Sequence, residues 1–458
     1  MSPRDCLVPR VAKGVLVAWV VLALVTAGNT NLQAQTQVQG LSTRAVGGVS
    51  IDAQGTARNA TLDESGRLRQ ERAELLGNVP HGLDQATETR KVSLRRLDEA
   101  IAEHLKSGKP LPAEVACLGG LQGIRYVLVY PDQNDVVLVG PGEAWKLNDR
   151  GAVVGVTTGR PVMLLDDLVV ALRAANGPAR EVITCSIDPT PEGLQRLGAF
   201  TKRLRTIGNP QQTAAGIEQQ LGPQMISVTG VPETSHFARV LVAADYRMKR
   251  VGMGVEPAPI RGLPPFTAMM RATGRGMSNA LPRWWLAPDY EPLLRDADGL
   301  AWELRGASVK AVAESDFFVA GQRQKTVRPD AASQKWAQTM TERYDDLALA
   351  EPVFGQLQNC MDLAIVAALV VGENLTEKAQ VELPMLLGAD TLQTAQLPAP
   401  KQVAPKAVLL KKGRNWMIPC GGIQINAWEM VQQAEPSDSL ASVRSNTAVN
   451  SRFKQWWD

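Results

Sequence analysis

The residues with the most chemical potential lie on one helix-forming stretch. His236, Arg239, Arg247 and Arg250 fall at i, i+3, i+11 and i+14, which is one helical face. Such a stripe suits an anionic ligand or an acidic partner. The competing reading is a solvated basic face whose cations complement the helix C-terminus. Asp245 stands four residues before Lys249, the spacing of an intrahelical ion pair. Gln358, Asn359 and Asp362 form a second polar stripe on an otherwise apolar run. Buried polar groups need partners, and Asp362 is the carboxylate to inspect for an altered environment. Trp284 and Trp285 are adjacent in a strand-forming stretch, so they face opposite sides of a sheet. Either both sides are covered, or one ring is presented to a sugar or a protein partner. Trp456 and Trp457 make a second pair, tucked into the body or used for docking.

Familiar catalytic motifs are missing. There is no Gly-x-Ser-x-Gly elbow, no His-Glu-x-x-His, no phosphate loop and no Cys-x-x-Cys pair. His81, His104 and His236 are each more than four residues from one another and from any Cys, so metal-ligand spacing is absent. No catalytic residue, metal or cofactor is assigned. A Cys–His pair assembled in space stays open. Cys117, Cys185, Cys360 and Cys420 are disulfide candidates in an exported chain, with three possible pairings, or else buried thiols.

The 458 residues carry 49 Lys+Arg against 46 Asp+Glu, a net charge of +3. That balance argues against nucleic acid held by bulk charge. Arg4, Arg10 and Lys13 precede an apolar run, Gly14–Ala27. A basic start, a short apolar run and small residues at 25–27 or 32–34 read as a signal peptide over residues 1–34. The alternative is an uncleaved anchor. After removal no membrane span is expected, and the chain is nearly neutral.

The elements that must position these residues read as α+β. Residues 35–88 are a polar segment with a short strand at Gly47–Asp52. Residues 89–180 hold a helix, a β-meander and a short helix; 181–255 alternate α and β. Thr190-Pro191 and Ser235 open the two helices of that segment. Residues 256–395 hold a second meander, a helix over Ser333–Leu349 and an apolar helix over Val353–Val371. Residues 396–432 read as a Pro-rich linker with a terminal strand pair, and 433–458 as a flexible tail. The meanders match at an offset of 157 residues: Pro131-Asp132 with Pro288-Asp289, and Gly142, Ala144, Trp145 and Leu147 with Gly299, Ala301, Trp302 and Leu304. This predicts a duplicated helix–meander–helix unit.

Ser235–Gly254, Arg283–Leu294, Tyr344–Ala364 and the Gly47–Asp52 start together resemble an uncharacterised family of exported proteins known mainly from planctomycete bacteria. The resemblance implies export and a shared fold. It implies no activity and no site residue. The resulting expectation is a non-catalytic binding or scaffolding protein of the cell envelope, exported to the periplasm, envelope or exterior, with an envelope or protein partner. The alternatives are an exported hydrolase using Asp362, His236 or a Cys–His pair, and a glycan-binding module using exposed Trp.

Overall fold

The structure is a computed structural model describing residues 45–60, 73–74, 76–203, 209–272, 282–313, 318–319, 322–323, 331–389, 391–409, 416–447 and 455–458. The expected signal peptide, and most of a helix expected at 66–77, lie outside these residues.

Three short strands come first: β1 (Ala45–Val46), β2 (Val49–Ile51) and β3 (Thr56–Asn59). Strand β4 (Thr87–Ser93) runs into helix α1 (Leu94–Lys106), and the Ser93 hydroxyl accepts from the Arg96 N–H as N-cap. The hairpin β5 (Tyr126–Tyr130) and β6 (Asp135–Gly142) is followed by β7 (Trp145–Leu147), β8 (Val153–Gly155) and α2 (Leu165–Ala175). Next come β9 (Ile183–Pro189), α3 (Pro191–Arg203), α4 (Pro210–Leu221), β10 (Gln224–Thr229) and α5 (His236–Met253). Ser235 caps α5 through the Ala238 N–H, and Gly254 ends it at φ 71°, where a side chain would be strained. The second meander is β11 (Arg283–Tyr290), β12 (Leu294–Arg295), β13 (Ala301–Glu303) and β14 (Gly306–Ala313). Helices α6 (Ala331–Glu342), α7 (Tyr344–Ala350) and α8 (Pro352–Gly372) precede β15 (Gln402–Val403), β16 (Cys420–Ile425), β17 (Glu435–Pro436) and α9 (Ser439–Thr447).

The chain is α+β. A nine-stranded mixed sheet has the order β1-β2-β3-β15-β10-β9-β16-β11-β14, and a six-stranded sheet the order β17-β12-β13-β5-β6-β4. Helix α5 lies against β9 and β16, and α8 packs on α2 and α5. The main apolar cluster draws side chains from Val46 through Trp456. Helix α8 is long and apolar enough to cross a membrane, yet 89% of that stretch is buried in the protein, as in a core helix.

Duplicated units are not found. The strands sit at matching sequence positions, but the first meander pairs β5 with β6 and β7 with β8. In the second, β11 pairs with β14, enclosing the β12–β13 hairpin. The meanders meet across one sheet instead: β13 pairs antiparallel with β5, setting Trp302 opposite Val127. The helix expected over 333–349 divides into α6 and α7 at Arg343. From the expected linker and strand pair, β15 and β16 enter the nine-stranded sheet, while Trp416–Met417 pairs with Val408–Leu409 in a separate two-stranded sheet. Strand β16 sits inside the larger sheet, seventh of nine, antiparallel to β9 and parallel to β11. Gly422 makes this possible, because a Cβ there would collide with the Cys185 carbonyl. The described part of the expected flexible tail is also structured. Strand β17 pairs with β12, and Leu440 of α9 is fully buried against β5 and β6.

Candidate functional site

Helix α5 was singled out for its charged stripe, and the fold closes over most of that stripe. At its start, His236 Nδ1 faces the two carboxylate oxygens of Asp167 in the first turn of α2, at 2.9 and 3.0 Å. Both side chains are buried. Burial opposes a charged imidazole, but the Asp167 carboxylate outweighs it and raises the His236 pKa above its ordinary value. Neighbouring Asp166 is pushed up to about 6 by burial and by the charge of Asp167, while it accepts the Ala395 N–H at 3.3 Å. Cys360 of α8 lies close enough to feel Asp167. Burial first, then that charge, holds its thiol protonated.

One turn on, Arg239 is 2% exposed, and its Nε and Nη2 have no hydrogen-bond partner among the described residues. Burial alone pulls its pKa down to about 10. Further along, Lys249 Nζ donates to Asp245 Oδ2 at 2.9 Å, to the Ile187 carbonyl of β9 at 2.9 Å and to the Gly421 carbonyl of β16 at 2.8 Å. Its three hydrogens are all used, so one buried cation ties a helix to two sheet strands. Burial raises the Asp245 carboxyl well above its ordinary range.

At the far end, Arg247 Nη2 meets Glu351 at 2.8 Å and Nη1 meets Glu256 at 2.5 Å. Arg250 Nε and Asn59 Nδ2 also donate to Glu256, at 2.5 and 2.9 Å. Arg150 joins Glu351, which is 1% exposed. The solvated basic face is therefore corrected. Acids from the start of α8 and from the loop after α5 fold back onto the arginines, and among the described residues Arg239 lacks such a partner.

The second polar stripe joins elements. Asp362 accepts from the Ile124 N–H at 3.0 Å, from Ser308 Oγ at 3.3 Å and from the Tyr290 hydroxyl. Burial pushes Asp362 up to about 6. Asn359 donates to the Pro161 carbonyl at 3.1 Å and Gln358 to Asp345 at 3.0 Å. Trp284 is fully buried, with its ring centroid 4.4 Å from Trp336 and its Nε1 bonded to Ser333. It cannot present a ring to a glycan. Half-buried Trp285 carries the Arg283 guanidinium 5.9 Å from its ring centre. Cys117, Cys185, Cys360 and Cys420 are buried and none is in a disulfide, so the disulfide candidates are corrected too. They sit on separate elements: the turn before residue 118, β9, α8 and β16. Among the described residues no group of three or more His, Cys, Asp or Glu is placed to hold a metal.

A feature missed in the sequence lies elsewhere. A groove of about 430 Å³ opens between α1 and the last residues, walled by Trp456 and Trp457, by Glu99, Glu103 and Glu114, and by Arg96 and His104. Glu103 and Glu114 have no ion-pair partner among the described residues. The carboxylates come from two elements separated by a turn, so only the paired tryptophans hinted at the groove.

A family model described as "Protein of unknown function (DUF1598)" matches residues 185–266, from β9 to just beyond α5. The chain thus contains a domain of unknown function that includes the whole charged stripe. No curated protein and no solved structure matches the chain.

Proposed function

We propose that this is an exported, non-catalytic binding protein of the cell envelope, and that the groove between α1 and Trp456–Trp457 takes a cationic group of its partner. The groove carries this reading: aromatic rings beside the unpaired carboxylates of Glu103 and Glu114 suit an ammonium or guanidinium group. The signal-like run Gly14–Ala27 supports export. Internal pairing of Arg247, Lys249 and Arg250 weighs against the rival anion-binding face. Titration with a short Lys-rich peptide, read by Trp fluorescence, tests the proposal. Saturable binding is expected, weakened at least tenfold in the Glu103→Gln/Glu114→Gln double variant. Absent binding, or equal binding by the variant, ends it. Export is tested by fusing residues 1–34 to a reporter active only outside the cytoplasm.

A hydrolase is the second reading, favoured by the His236–Asp167 pair. It requires ester or amide hydrolysis that is lost in His236→Gln while the fold is kept. Hydrolysis that survives the substitution, or is never seen, removes it.

A further inference from the structure

The six-stranded sheet ends at β4, which pairs with β6 on one side only. Its other side is not bare. Trp457 lies antiparallel to Val92, with the Lys91 N–H bonded to the Asp458 carbonyl at 3.2 Å, the Asp458 N–H to the Lys91 carbonyl at 3.1 Å and the Ser93 N–H to the Trp456 carbonyl at 2.9 Å. Residues 456–458 therefore add a short seventh strand. Side chains fix its register. Trp456 is 7% exposed and joins the main core, while Trp457 packs with Leu83, Cys117 and Trp145. A Cβ on Gly82 would come within 3.1 Å of the Trp457 ring. Lys91 Nζ meets the Asp458 carboxylate at 2.9 Å, and Arg96 Nη1 donates to the Gln455 carbonyl at 3.3 Å. Backbone pairing to a sheet edge supplies affinity, and side-chain pockets at alternate positions supply specificity.

We propose that the β4 edge is a peptide-binding site for an extended Trp-Trp-Asp segment, filled here in cis by residues 455–458 and able to accept the same segment in trans. Main-chain bonds from Lys91 and Ser93 set the strand, the core and the Gly82 pocket read the two indoles, and Lys91 reads the acidic side chain. The site borders the cation groove but does not depend on its ligand.

The test uses the chain lacking residues 455–458 and a synthetic peptide covering residues 453–458. Amide hydrogen exchange over residues 87–93 should be at least tenfold faster in the shortened chain than in the full chain. Added peptide should restore slow exchange, and a peptide with Ala in place of Trp457 should fail to do so. Equal exchange in the two chains, or no recovery with peptide, overturns the site. Should the shortened chain not fold, full-length Trp457→Ala replaces it. Excess wild-type peptide must then protect residues 87–93, and failure to do so is equally decisive. Lys-rich peptide binding is read separately, so loss of one proposal leaves the other standing.

Discussion

On α5, Lys249 gives its three hydrogens to a carboxylate and two strand carbonyls, and Glu256 and Glu351 hold two arginines from separate parts of the chain. On the outer edge of β4, three backbone bonds and two indoles hold a short segment that borders an open groove. The first region buries full charges, so removing one partner strands another in low dielectric. The second relies on backbone bonds, buried indole area and one part-exposed ion pair, Lys91–Asp458, so losing a single polar contact there strands no buried charge. The most charged face is tied up in internal contacts, whereas the proposed recognition surface is aromatic.

The largest effect is expected at the clamp. Lys249→Ala should cost about 3–5 kcal/mol in urea unfolding, because it leaves Asp245 buried without its partner. Replacing both residues, Asp245→Leu with Lys249→Met, should recover most of that loss. A single variant as mild as a surface substitution would break the comparison. At the β4 edge, Trp456→Ala should cost about 3 kcal/mol through lost core packing. The sign reverses at Arg239. Removing a buried cation without a partner in Arg239→Met should raise stability by about 1–2 kcal/mol. A loss instead would reveal a counter-ion and sharpen the idea of an anion site there. The last prediction concerns pH. The Asp362 pKa is about 6 in the folded chain against 3.8 ordinarily, so the folded state holds the proton more tightly. Its contribution is fully present below pH 3.8 and is lost as pH rises towards 6. The slope is at most about 1.4 kcal/mol per pH unit. Urea unfolding of Asp362→Asn at several pH values in this window should lack that decline.

What could be read from the sequence is what is local. Ser235 as a cap, Gly254 as a stop and the Asp245–Lys249 spacing each depend on a few neighbouring residues, and the structure shows all three. The Pro131–Asn134 turn between β5 and β6 was legible for the same reason. Pairings between distant residues were not. Nothing in the spacing of Asp167 and His236, or of Arg150, Arg247 and Glu351, says that they meet. The matched meanders misled because a shared turn chemistry sets where strands begin, whereas partner choice depends on which edges the rest of the fold leaves free. The Gly-rich start of β16 looked like an ordinary strand, although those glycines let it enter the middle of a sheet.

That placement has a consequence for how the chain is made. Cys185 of β9 waits for its neighbour Ile423 until the ribosome has added more than two hundred further residues. At ordinary rates of synthesis this takes about ten to fifty seconds. During that interval β9 and β10 can pair, but β9 has one unsatisfied side and so does β11. The sheet that residues 185–266 help to build therefore cannot be completed until the last tenth of the sequence arrives.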